Sequence, residues 1–204
     1  MRHLLTTRTL ARRPVTIFSD FSCPYSYLAE SSVRRVVAEG EVVYRAFELF
    51  PEPTRLDAGS GFEEEGWEAV RSLAREEGID LSVPGFRPRT RKAHEAARHA
   101  RTLGMEPRLR AGIFSAYWKE KRDIGRIDVL TDIAALLGMD PEALKIALDI
   151  DSFSDDVAAD IAVAKRLGVP GTPTLFLGLG RDARVVAGAY PAGEMRRLLE
   201  DDPQ

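Results

Sequence analysis

Strand, helix and strand follow one another in the first fifty residues, and this restricts the fold more than any other feature of the chain. From Pro14 the run VTIFSD is β-branched and aromatic and stops at polar residues, which reads as a buried strand. The next stretch, SCPYSYLAESSVRRVVAEG, reads as a helix. Pro24 suits its first turn, where a missing N–H costs nothing, and Gly40 is its expected stop. Tyr27, Leu28, Val33, Val36 and Val37 supply its apolar positions. VVYRAFELF, Val42 to Phe50, is a second strand, at a spacing that allows a right-handed crossover between parallel strands.

From about Gly61 to Asp149 the pattern turns helical, with no convincing strand. FEEEGWEAVRSLAREEG puts Trp67, Val70, Leu73 and Ala74 on one face, and TRKAHEAARHARTLG lines up Ala93, Ala96, Ala97, Ala100 and Leu103. PRLRAGIFSAYWKEK is apolar on two sides, through Leu109, Ile113, Ala116 and Tyr117 on one and Phe114 and Trp118 on the other, so a sandwiched helix is expected. IDVLTDIAALLG is a further helix, and MDPEALKIALD starts another with Asp140 as N-cap and Pro141 at the first helical position. SDDVAADIAVAKRLG follows, with Val157, Ile161, Ala164 and Leu167 as its buried stripe and Gly168 as its stop. Then VPGTPTLFLG feeds a strand at Thr174 to Leu177, RDARVVAGA supplies an antiparallel partner, and PAGEMRRLLE closes as a helix. The order βαβ, helical block, αββα reads as one α/β domain, residues 14–56 and 154–204, interrupted by a helical insertion at 57–153. Residues 1–13 form an N-terminal extension, rich in arginine but without the apolar run of a signal peptide.

Composition narrows the function classes. A net charge of -3 argues against a general nucleic-acid binder. The absence of an 18-residue apolar run argues against a transmembrane helix, and the missing signal-peptide pattern at the N-terminus leads to the expectation of a cytoplasmic protein. His94 and His99 lie five apart, off the spacing that would place two ligands on one helix face, and no metal site is expected. Trp67, Tyr117 and Trp118 read as core, and the basic run RPRTRK as a solvated face, with Arg89 and Arg91 placed near an anionic substrate as the functional alternative.

One cysteine, Cys23, stands between the first strand and the first helix in DFSCPYSYLA. Together with VPGTPT before a later strand, this resembles the two active-site elements of thioredoxin-fold proteins. The helical block between them resembles the DsbA-like group, which includes FrnE-like proteins, 2-hydroxychromene-2-carboxylate isomerases and kappa-class glutathione transferases. TRKAHEAARHA, KEKRDIGRIDVL and VVAGAYP are similar to FrnE-type members, although Tyr190 stands where a glutamine is expected. The resemblance covers about Pro14 to Glu200 and implies a cis Thr172–Pro173 peptide bond. Dithiol members carry C-P-x-C, and the isomerase and kappa-transferase branch carries S-P-x-S. Cys23-Pro24-Tyr25-Ser26 departs from each by one residue.

That departure sets the expected chemistry. A thiol at a helix N-terminus is expected to have its pKa lowered by unpaired N–H groups and the helix dipole. Ser26, one turn on, is placed to donate a hydrogen bond to the sulfur, but its oxygen cannot resolve a mixed disulfide. A lone cysteine more often packs as a small hydrophobe. At this junction, with the second loop matching, Cys23 reads as a working thiol. Ser26 is its catalytic companion, or else an ordinary first-turn serine. Pro24, Tyr25, Thr172 and Pro173 are the expected substrate-binding residues, with Tyr25 alternatively a cover over the core and the proline loop alternatively a structural turn.

The leading expectation is a DsbA-like thiol–disulfide oxidoreductase acting as a monothiol. It has no tightly bound cofactor, and glutathione or another low-molecular-weight thiol serves as co-substrate. Its partners are disulfide-containing or thiolated proteins or small molecules, and the kappa-class likeness suggests a homodimer. Two alternatives stay open: a glutathione-dependent isomerase or transferase, and a non-catalytic binding domain.

Overall fold

The computed structural model describes residues 14–38, 40–56 and 64–200. The expected N-terminal extension and the start of FEEEGWEAV lie outside the described residues. In chain order the elements are β1 (Val15–Ser19), α1 (Pro24–Val36), β2 (Val42–Ala46), α2 (Glu64–Glu76), α3 (Arg91–Thr102), α4 (Glu106–Trp118), α5 (Ile127–Leu136), α6 (Pro141–Asp149), α7 (Ser154–Leu167), β3 (Thr174–Leu177), β4 (Arg184–Ala187) and α8 (Ala192–Glu200). The four strands form one sheet in the order β2-β1-β3-β4. β1 and β2 run parallel, joined through α1, while β3 pairs antiparallel with both β1 and β4. Helices α2 to α6 lie in sequence between β2 and α7, and the chain has the mixed α/β thioredoxin architecture.

Two apolar clusters hold it together. One joins the sheet to α1 and α8 through Val15, Ile17, Ala29, Val33, Tyr44, Leu175, Leu177 and Met195. The other fills the helical side and reaches back to Phe21, Tyr27 and Leu28 at the start of α1. α4 is buried on both sides, as its two apolar faces require, and the Trp118 indole donates to the Phe21 carbonyl at 3.0 Å. The small side chains of α3 are all buried, which lets α4 approach closely.

Several expectations need correcting. β2 ends at Ala46 rather than Phe50, because the next residues turn their polar groups to other elements. The Phe47 carbonyl faces His94 Nε2 at 3.1 Å, and the Leu49 N–H goes to the Asp20 carboxylate at 2.5 Å. α1 stops at Val36, with Val37 already extended, before Gly40 is reached. Leu103 and Leu167 are about half exposed, at 53% and 51%, although the periodicity placed both on buried stripes. The buried stripe of α7 instead contains Asp160, which accepts from the Ala46 N–H and the Arg45 side chain, both at 2.8 Å, and pairs with Arg98. One carboxylate thereby ties β2, α3 and α7 together and satisfies an edge-strand donor.

Candidate active site

Register brings the two predicted loops together. Phe18, near the end of β1, pairs with Thr174 at the start of β3, so the chain leaving β1 runs beside the chain entering β3. Cys23 follows the first and Thr172–Pro173 precedes the second. The Thr172–Pro173 peptide bond is cis, and so is Glu52–Pro53, which the sequence did not suggest. The Cys23 thiol donates to the Thr172 carbonyl at 3.3 Å. The Thr172 hydroxyl oxygen is itself buried. Gly188 N–H donates to the Pro173 carbonyl at 2.9 Å and the Thr174 hydroxyl to Gly171 at 2.8 Å, so the loop is fixed from both sides.

Cys23 is the N-cap of α1, with extended backbone and Pro24 at the first helical position. The loop before it is built by Asp20. The Asp20 carboxylate accepts from the Ser22 N–H at 2.8 Å and the Ser22 hydroxyl at 3.0 Å, and its carbonyl accepts from the Cys23 N–H at 3.1 Å. Its own N–H donates to the Ser26 hydroxyl oxygen at 3.3 Å. That bond occupies a lone pair of Ser26 and leaves its O–H free to donate toward the sulfur, an orientation the notion of a first-turn serine alone does not give.

Electrostatics at the thiol correct the sequence expectation. Burial pushes the Cys23 pKa up; the side chain of Thr172 and the hydroxyl and N–H of Ser26 oppose this, and the Asp20 charge adds a further upward push. The sulfur is 5% exposed as part of its residue, and withdrawal from water outweighs the helix N-terminus. Cys23 therefore rests as a thiol, held neutral by desolvation.

Of the other expected residues, Pro24 and Pro173 are buried, and Tyr25 is partly buried with its hydroxyl donating to the Gly66 carbonyl at 3.4 Å. Tyr25 thus links the site to α2. Arg89 and Arg91 are committed elsewhere. Arg89 donates to the Phe50 and Thr54 carbonyls and Arg91 pairs with Glu48, so neither is presented to an anionic substrate. His94 is buried against the Phe21 ring, and burial holds its pKa well below the usual histidine range.

Behind the loop lies a polar group that the sequence reading missed. Arg110 of α4 is buried, donates through Nε and a terminal nitrogen to Glu30 of α1 at 2.9 and 2.5 Å, and reaches the Ser19 hydroxyl at 2.8 Å. Its guanidinium sits 4.6 Å from the centre of the Phe21 ring and 4.9 Å from that of Tyr44. Glu30 also accepts from Ser19 at 2.6 Å. The end of β1, the middle of α1 and α4 are thereby tied to one another.

A family model for the DSBA-like thioredoxin domain matches residues 14–200. The chain belongs to that family. Its members are thiol–disulfide oxidoreductases and related enzymes, and the fold agrees with solved structures of several kinds. The probable DsbA oxidoreductase of Streptomyces coelicolor is 25% identical, superposes with a TM-score of 0.77, and the match covers 93% of this chain and 92% of that one. The cytosolic disulfide reductase DsbM of Pseudomonas aeruginosa, also solved with glutathione, is 20% identical with a TM-score of 0.65 and 91% of each chain covered. A 2-hydroxychromene-2-carboxylate isomerase is 18% identical with a TM-score of 0.64, over 90% of this chain and 91% of the other.

Proposed function

We infer that this DsbA-like enzyme is a thiol–disulfide oxidoreductase that works through Cys23 as a monothiol, with glutathione or a similar small thiol as co-substrate. The observation carrying this reading is the position of the Cys23 sulfur between the Ser26 side chain and the Thr172 carbonyl, with no second thiol anywhere in the sequence. The step is an exchange. The Cys23 thiolate, its proton given up to solvent, attacks one sulfur of R–S–S–R′, forming Cys23–S–S–R and expelling R′–S⁻. A second small-thiol thiolate then attacks the R sulfur and frees Cys23. Ser26 steadies the negative sulfur, and Thr172 and Pro173 border the place where the incoming chain lies. Strong dithiol oxidants owe their potential to a stabilised thiolate in the reduced form. Burial at Cys23 supplies the opposite, which favours a reducing or thiol-removing role over an oxidising one. The DsbM likeness, with a cytosolic reductase solved in the presence of glutathione, supports the same direction and a cytoplasmic setting.

Removal of glutathione from a glutathionylated peptide, followed with free glutathione present, tests this. Cys23→Ser is expected to abolish turnover. Turnover that persists in that variant would overturn the monothiol reading. The isomerase likeness favours a second reading, in which the thiol cofactor is held noncovalently; saturable glutathione binding that survives Cys23→Ser, without exchange in the parent chain, is its signature.

A further inference from the structure

The end of α1 remote from Cys23 borders a cavity of about 200 Å³ that the thiol chemistry does not use. Arg34, which lines it, lies eleven residues beyond Cys23 along the helix, or about 16 Å at 1.5 Å per residue. Val42 and Tyr44 of β2 line it from the sheet, and Val42 pairs with Val15 at the start of β1, whereas Cys23 follows the end of that strand. The other walls are apolar: Val37, Ala38, and Pro107 from the first turn of α4. Ala38 is exposed and β2 is an edge strand, so the cavity is open to solvent. Two polar groups there are left over for a ligand. Tyr44 is 3% exposed, yet its hydroxyl neither bonds to another group among the described residues nor is sealed off by protein atoms, which leaves the cavity as the space it meets. Its ring is fixed 4.9 Å from the Arg110 guanidinium, and burial pushes its pKa up to about 12, so the hydroxyl remains a donor. Arg34 has one hydrogen-bond partner among the described residues, Glu30 at 3.4 Å, while Glu30 takes closer bonds from Arg110 at 2.9 and 2.5 Å and from Ser19 at 2.6 Å. Most of the donors of the Arg34 fork are therefore unspent.

We propose that this cavity is a ligand site apart from Cys23, taking a small carboxylate whose apolar body is about the size of one ring. The volume sets the size, since an apolar cavity of about 150 Å³ already holds benzene. The Arg34 guanidinium matches a carboxylate in shape and charge, and the Tyr44 hydroxyl donates to the same group. Val37, Val42 and Pro107 cover the body. The local charge favours an anion, because Arg34, Arg98, Arg101 and Arg110 act on the region of Tyr44 and Glu106, where the carboxylates are Glu30 and Glu106. Glu30 is already held by Arg110, so a bound carboxylate meets an arginine with charge to share.

The site does not depend on the monothiol reading, and its test does not involve exchange. The isotope-labelled full chain is titrated with benzoate, benzamide and acetate while its amide resonances are followed. Benzoate should move the Val37, Ala38 and Val42 amides along a saturating curve. Benzamide keeps the ring without the charge and acetate the charge without the ring, so each should bind at least about tenfold more weakly. Arg34→Gln and Tyr44→Phe should each weaken benzoate by about tenfold or more, the loss of one charge-assisted hydrogen bond. Cys23→Ser should leave the curve unchanged, which separates this site from the thiol chemistry. The benzamide and acetate arms use the parent chain, so they decide the matter even if a variant fails to fold. No saturable shift at these amides, benzamide or acetate binding as well as benzoate, folded Arg34→Gln and Tyr44→Phe that match the parent, or loss of binding in Cys23→Ser would overturn the proposal.

Discussion

Replacing Glu30 by glutamine tests whether the buried Arg110 network, rather than apolar packing alone, holds the site together. The change keeps shape and removes one charge. Arg110 is 2% exposed and Glu30 fully buried, so the guanidinium would stay in the interior opposite a neutral amide. Breaking such a pair by removing one partner costs about 3–5 kcal/mol. A count of bonds gives a similar figure: of two charge-assisted hydrogen bonds, each worth about 1.5–3 kcal/mol, one is lost and the other weakened. Arg110→Met leaves Glu30 with the Ser19 hydroxyl and the more distant Arg34, and should cost about as much. The paired change Glu30→Leu with Arg110→Met should recover most of the loss, because no buried charge remains and the methionine still packs between Phe21 and Tyr44. Urea denaturation of the full chain reads this. With a slope of about 2–3 kcal/mol/M, each single variant should move the midpoint down by about 1–2 M, and the pair by much less. A single-variant cost below about 1 kcal/mol, or a pair no better than the sum of its parts, would refute the reasoning.

Ser26→Ala removes the acceptor of the Asp20 N–H and a donor to the sulfur, so Cys23 alkylation near neutral pH should slow while stability falls by about 1–3 kcal/mol; an unchanged alkylation rate would sink the role given to the hydroxyl. Ser26→Cys should convert the motif to a dithiol that loses two hydrogens on oxidation and expels a bound glutathione without added thiol, which intact mass would show. Asp20 also sets a pH dependence of stability. Its folded pKa of about 6 lies above the unfolded value of 3.8, so the native state binds the extra proton between those values. The stabilisation is full below the unfolded pKa and is lost as pH rises through about 6, amounting to about 3 kcal/mol. Asp20→Asn should flatten that slope in urea midpoints taken from pH 4 to 7, and a slope that persists in the variant would assign it elsewhere.

Much of this arrangement was legible because the residues that announce it act locally. Asp140 caps α6 through the Glu142 and Ala143 N–H groups, and Gly168 takes the left-handed conformation that ends α7. Cys23 and Pro24 start α1 where a strand-to-helix junction was read. The two-sided apolar pattern of α4 foretold its burial. What was hidden depends on partners far apart in the chain. Arg110 and Glu30 are eighty residues apart, and each reads as an ordinary charged position on its own helix. Asp160 interrupts an apolar stripe for the same reason, its donors lying on β2 and α3. The lone signal available was position: Arg110 falls next to Leu109 on a helix whose apolar residues occupy two sides, so a charge turned inward there had to find a buried partner. The direction of the Cys23 pKa was misread because sequence gives the helix N-terminus but not the depth at which it is buried.

The most direct test of the central claim is intact mass spectrometry of the full chain after brief exposure to glutathione disulfide at neutral pH, and again after free glutathione is added. Monothiol exchange predicts a single glutathione adduct on Cys23 that forms under these conditions and is removed by the free thiol. No adduct, while a small alkylating agent still reaches Cys23, would contradict it.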